Sequence, residues 1–341
     1  MLTSAFKRFA GQETILKALQ RTDVDKFIEG IDRIVVTVGA KGGVGKSTVA
    51  VNAALALADI DNTAGVLDLD LFAPSVPQLC NTVTNNLQLS KEKNFLPISA
   101  YGIETISVGN GTERDQALLW NSQFIPKLVE QLSKKSEWSN LDYLIVDVPS
   151  GSVEILSAFN DHVHIDGAIV VTSCDQLSQA STLRTIDALH KMKIPVSGIV
   201  KNFDNERCMH CGTPIKHKQP ADAIDIGREA NVDVLTSIPR ENTIAISGEK
   251  GFPVVLSDPN SNGAAAFRQL ARKIMAKVPK RTEEQLKQIL KERDEKRKQQ
   301  EELLRKIEEE YRKQIEEEKK NMAKETKAEE KKPEENKVEN K

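Results

Sequence analysis

The chain has 341 residues, enough for one large α/β core with appendages or for two modest domains. Its 48 Lys/Arg against 50 Asp/Glu leave a net charge of −2, so no overall field draws nucleic acid or an acidic membrane surface. No apolar run reaches the roughly 18 residues of a membrane span, and four cysteines (Cys80, Cys174, Cys208, Cys211) are too few for a disulfide framework. The chain reads as a soluble protein of a reducing compartment.

In chain order, residues 1–30 form an amino-terminal extension. Its start carries Lys7, Arg8, Lys17 and Arg21 against Glu13, with Leu2, Phe6 and Phe9 at helical spacing. Such a basic, acid-poor amphipathic stretch fits a mitochondrial transit peptide or a helix lying on the domain. Residues 31–279 alternate short β-branched runs with helical patterns. Strands are expected at 34–38, 64–67, 103–108, 143–148, 168–172, 196–200 and 232–238. Helices are expected at 47–58, 123–132, 179–192 and 264–275. That alternation predicts one doubly wound α/β domain with a mostly parallel sheet covered on both faces. Residues 280–341 change material: basic and acidic side chains three and four apart, with few apolar positions, predict a solvated helix and then a disordered end.

The chemistry begins after the first strand. Lys41-Gly42-Gly43-Val44-Gly45-Lys46-Ser47-Thr48 lies between a strand and a helix, the setting a P-loop requires. Its backbone N–H groups and the helix dipole make an anion nest; Lys46 would reach the β/γ-phosphates and Ser47 would hold Mg²⁺. The general pattern has glycine where this chain has Ala40, and Lys41 marks a distinct variant. Asp68 and Asp70 follow the second strand, at the sheet edge where open α/β folds bind ligands, and suit holding Mg²⁺ through water and orienting an attacking water. Asp147 ends the strand Leu144-Ile145-Val146, the Walker B placement, and the following turn, from Pro149 to Glu154, falls where a γ-phosphate sensor belongs.

Cys208-Met209-His210-Cys211-Gly212 can clasp one metal from a tight turn. Two thiolates satisfy neither Zn²⁺ nor a [4Fe–4S] cluster. Three readings stand: a cluster shared across a two-fold axis, a Cys₂His₂ zinc site with His210 and His217, or a redox pair.

The extra lysine resembles that of the signature-lysine ATPases, which include the nitrogenase iron protein, MinD, ParA and the Mrp carriers. Over 31–279 the chain is similar to the Mrp (ApbC) iron–sulfur carrier ATPases. The resemblance rests on the P-loop, the stretch from Leu67 to Pro77, the strand ending at Asp147, and Gly198-Ile199-Val200-Lys201-Asn202 before the cysteines. Ser237-Ile238-Pro239-Arg240 and Gly251-Phe252-Pro253-Val254-Val255 look like family segments as well. With its leader, the chain is most similar to the mitochondrial NUBPL-like branch that serves complex I assembly.

The resemblance implies a homodimer that sandwiches ATP and Mg²⁺, with Lys41 reaching the partner's nucleotide and Asn202 recognising adenine. It implies a labile [4Fe–4S] cluster on Cys208 and Cys211 of two subunits, delivered to client apoproteins, and a home in the mitochondrial matrix, with the cytoplasm as the other choice. Departures fall after Walker B, where the family's P-P-G-T-G-D reads Pro149-Ser150-Gly151-Ser152-Val153-Glu154, and at Trp120-Asn121-Ser122 and Ser173-Cys174-Asp175. They point to slow hydrolysis rather than lost binding. The rival reading is a ParA/MinD-like positioning ATPase; it calls for a basic stripe or a membrane helix, and the tail shows neither.

Overall fold

The computed structural model describes residues 26–39, 41–111, 123–204, 213, 225–299, 301–302 and 305–306. The leader expected at the amino terminus, the Trp120-Asn121-Ser122 departure, Cys208, His210, Cys211, His217 and the end of the tail lie outside the described residues. The chain divides into two compact units: residues 25–282, and residues 1–24 with 283–341. In the second unit residues 283–299 are helical, with Glu283–Lys287 and Lys291–Glu295 ion pairs one turn apart along the helix.

The larger unit runs β1 (Ile31–Val38), α1 (Lys46–Ala58), β2 (Ala64–Asp68), α2 (Val76–Leu79), β3 (Gln88–Leu89), β4 (Phe95–Leu96), β5 (Ile98–Ala100) and β6 (Ile103–Ser107). It continues with α3 (Ile125–Lys134), β7 (Leu141–Asp147), α4 (Val153–His162), β8 (Gly167–Ser173), α5 (Gln176–Lys191), β9 (Val196–Asp204), α6 (Ile226–Ala230), β10 (Val234–Pro239), α7 (Asn242–Glu249), α8 (Val254–Ser257) and α9 (Asn262–Lys277). Eight strands form one sheet in the order β10-β9-β8-β1-β7-β2-β6-β5.

The continuous apolar runs of β1, β7 and β8 are buried on both sides, as a parallel sheet demands. Alternate residues serve opposite faces. Val35, Ile145, Ile169 and Val171 join one core with Leu55 of α1 and Phe267 and Ile274 of α9. Val36, Leu144, Val146 and Val170 join the other with Val129, Phe159 and Leu189 of α3, α4 and α5. Residues 49–57 of α1 are buried all round, which is why its sequence carries no polar face.

Within residues 31–279 the strands and helices expected from the sequence are present, within a few residues at the ends. The sequence reading lacked β5, which pairs antiparallel with β6. Its two-residue hairpin is Tyr101-Gly102, both with positive φ (54° and 83°), the backbone of a type I′ turn; Tyr101 is a poor turn residue by composition and masks the signal.

Candidate functional site

The parallel register places the chemistry at one edge. β1 and β2 flank β7, so Thr37 and Asp68 both lie beside Asp147. Past β1 the chain turns through Gly43 and Gly45, both left-handed (φ 78° and 84°), and enters α1 with no side-chain cap. The first N–H groups of α1 are thereby left for an anion. Gly45 is required twice over: a Cβ there would lie 2.3 Å from Asn202 Nδ2 in a backbone region that side chains avoid. Asn202, buried at the end of β9, donates from Nδ2 to the Val44 carbonyl at 2.8 Å and braces the loop from beneath.

Lys46 is buried, and its Nζ donates to Ser150 Oγ at 3.1 Å. Ser150, flagged in the sequence only as part of a sensor turn, therefore faces Lys46 of the glycine loop. Lys41 Nζ lies 3.4 Å from Asp175 Oδ1 of the same chain. Asp175 caps α5, accepting from the Ser178 N–H at 2.8 Å. Burial works against ionisation there, but the Ser173 and Ser178 hydroxyls, the cap N–H and Lys41 hold Asp175 below the usual carboxylate range.

The three acids occupy different environments. Asp68 is fully buried and accepts from Ser107 Oγ at 2.9 Å, the Asp70 N–H at 2.9 Å and the Val76 N–H at 3.3 Å. Its carboxylate organises the turn after β2. Burial, reinforced by Asp147, pushes Asp68 well above the ordinary carboxylate range. Asp70 is half-buried, accepts from the Ala73 N–H at 3.0 Å and lines the cavity. Asp147 is buried with neither carboxylate oxygen hydrogen-bonded in good geometry. Burial pushes it up to about 7, against the pull of the nearby Ser47 hydroxyl and Lys46.

An orphaned buried carboxylate beside a hydroxyl and an ammonium is costly unless a cation joins it. The donor set, carboxylate and hydroxyl oxygen, is the hard chemistry Mg²⁺ takes. The residues present fit that ion.

Above these groups lies a cavity of about 650 Å³. It is lined by Gly43, Gly45, Lys46, Ser47 and Thr48, and beyond them by Asn202, Phe203 and the β10–α7 connection, including Arg240 and Asn242. The sequence had marked Pro239 and Arg240 as a segment without assigning them a place; the sheet order, with β9 and β10 beside β8, brings them over the site. Cys80 is buried and Cys174 half-buried, and both are free thiols. Among the described residues no group of three His, Cys, Asp or Glu side chains is placed to hold a metal, and no helix is long and apolar enough to cross a membrane.

Comparison with known proteins gives a consistent result. A family model described as ParA: NUBPL iron-transfer P-loop NTPase matches residues 30–275. The iron–sulfur cluster transfer protein NUBPL of Mus musculus is 33% identical over 259 residues, covering 74% of this chain and 80% of that protein. The iron–sulfur protein required for NADH dehydrogenase, mitochondrial, of Arabidopsis thaliana is 30% identical over 249 residues, 73% of this chain and 79% of that protein. The solved nucleotide-binding protein from Archaeoglobus fulgidus, in complex with ADP, superposes with a TM-score of 0.57 at 24% identity. It covers 67% of this chain and 90% of that one, a likeness of fold.

Proposed function

The chain belongs to the NUBPL iron-transfer P-loop NTPase family, and from that premise we propose that it is an ATP-dependent carrier that holds a [4Fe–4S] cluster and delivers it to apoproteins. One observation carries the reading. β9 supplies Asn202 to brace the P-loop and ends at Asp204, four residues ahead of Cys208. Asn202, which braces the loop, and the thiol pair thus lie on one continuous stretch of chain.

In this reading the Gly42–Thr48 backbone and Lys46 cradle the phosphates of ATP, with Val44 held by Asn202. Ser47, Asp147 and Asp70 are the residues that would hold Mg²⁺, directly or through water. Bound there, the ion neutralises phosphate charge. Asp68 fixes the turn that presents Asp70. Lys41 leaves Asp175 for the nucleotide of a second subunit, which makes the homodimer depend on ATP. Cys208 and Cys211 from two subunits then hold the cluster as cargo, four thiolates being the number a [4Fe–4S] cluster takes. Asn202 contacts the base edge as well as the loop.

Hydrolysis is coupled to transfer, and it is slow because α4 begins at Val153 where the family pattern has a flexible glycine. The clients are the iron–sulfur apoproteins of respiratory complex I, and the place of action is the mitochondrial matrix. The name of the Arabidopsis relative supports NADH dehydrogenase as the destination and the mitochondrion as the organelle.

The test is transfer to a general acceptor. Cluster-loaded protein mixed with apo-aconitase restores aconitase activity, and the Cys208→Ala/Cys211→Ala variant restores none. An acceptor that stays inactive with the loaded wild-type chain would overturn the carrier role.

A further inference from the structure

Phe203 follows the bracing asparagine and is held in a left-handed backbone (φ 59°), an uncommon and costly state for an aromatic residue. The strain is maintained locally: the Phe203 N–H donates to Asn202 Oδ1 at 3.0 Å, the oxygen of the same amide whose nitrogen braces Val44. The outcome is an aromatic ring 40% exposed where a core residue would be expected. Its Cζ lies 3.6 Å from where a Cβ of Gly45 would stand, so the ring rests against the P-loop. It lines the same cavity as Lys46 and Thr48.

The sheet order gives that cavity a polarity. Lys46, Ser150 and Asp147 gather over β1 and β7, whereas Phe203 lies over β9, two strands to the other side of β1, beside Arg240 at the end of β10. A ligand with its anionic end in the glycine nest runs toward the ring with its other end.

We propose that Phe203 is the stacking platform for the base of the bound nucleotide, an inference that rests on reading the cavity as a nucleotide site. A flat apolar face suits any aromatic base, because every base offers a π surface. Phe203 therefore supplies affinity for a heterocycle, while Asn202 and the polar β10–α7 connection are left to discriminate its edge.

The test is calorimetric titration of the full chain, in Mg²⁺, with ATP and with inorganic tripolyphosphate. Phe203→Ala weakens ATP about tenfold or more, the range a lost base stack gives, and leaves tripolyphosphate unchanged. Phe203→Gly suits the left-handed backbone and folds at least as well; it shows the same selective loss, which separates stacking from folding. Phe203→Trp restores ATP binding to within about threefold of wild type. Unchanged ATP affinity in Phe203→Ala, or an equal loss for tripolyphosphate, would overturn the platform while leaving the nucleotide site standing. A wild-type chain that binds neither ligand would overturn both.

Discussion

Substituting Gly45 by alanine tests how the loop is braced. The new methyl meets two obstacles. A left-handed alanine costs about 1–2 kcal/mol, at the φ of 84° observed here. The Cβ also lies 2.3 Å from Asn202 Nδ2, so the asparagine must leave the Val44 carbonyl. Losing the donor of a buried carbonyl costs about 1–3 kcal/mol. Gly45→Ala should therefore cost about 2–5 kcal/mol in the wild-type background. In an Asn202→Ala background the bond is already gone and the space is open, so the same substitution should cost only about 1–2 kcal/mol. The double-mutant cycle predicts a coupling of about 1–3 kcal/mol. Urea denaturation followed by tryptophan fluorescence, to which the buried Trp138 contributes, measures it. Additivity to within about 0.5 kcal/mol would refute the brace.

Other consequences follow from the same geometry. Asp147 takes up a proton more readily folded than unfolded, so the nucleotide-free chain loses stability as pH rises from about 4 to about 7; Asp147→Asn should flatten that dependence in a thermal melt and abolish the gain in ATP affinity on adding Mg²⁺. Burial pushes the Cys80 and Cys174 thiols up to about 12, leaving about one thiolate in ten thousand at pH 8. Iodoacetamide should then spare both by mass spectrometry under conditions that label a free cysteine within minutes; rapid labelling of Cys80 would contradict its burial. Lys41→Ala should eliminate ATP-induced dimers in light scattering. Asp175→Ala should retain them, because an exposed pair at 3.4 Å contributes at most about 1 kcal/mol.

The glycine loop and its neighbours were legible in the sequence because phosphate chemistry calls for residue types at fixed spacing. Glycines give the nest, Lys46 and Ser47 follow, and acids sit at the tips of β2 and β7. The alternation of apolar runs and helical patterns likewise announced a parallel sheet, since β1, β7 and β8 had to be apolar on both faces. What escaped depends on pairings between distant residues. Lys41 and Asp175 lie 134 positions apart, Lys46 and Ser150 lie 104 apart, and nothing local marks either pair. The distinct tasks of Asp68 and Asp70 were hidden because two acids two residues apart look alike in sequence; the bonds Asp68 accepts from the Asp70 and Val76 N–H groups and from Ser107, brought alongside by β6, commit it to the turn. Phe203 was not singled out in the sequence at all, since a left-handed backbone leaves no compositional trace when the residue is not glycine or asparagine.

Anaerobic reconstitution of the purified full chain with ferrous iron and sulfide, followed by iron and sulfide analysis per protein and the mass of the assembly, addresses the cluster itself. The carrier reading predicts about four iron and four sulfide per dimer, and their loss in the Cys208→Ala/Cys211→Ala variant. A chain that takes up zinc in place of iron, or that binds its iron equally well without the two cysteines, would contradict it.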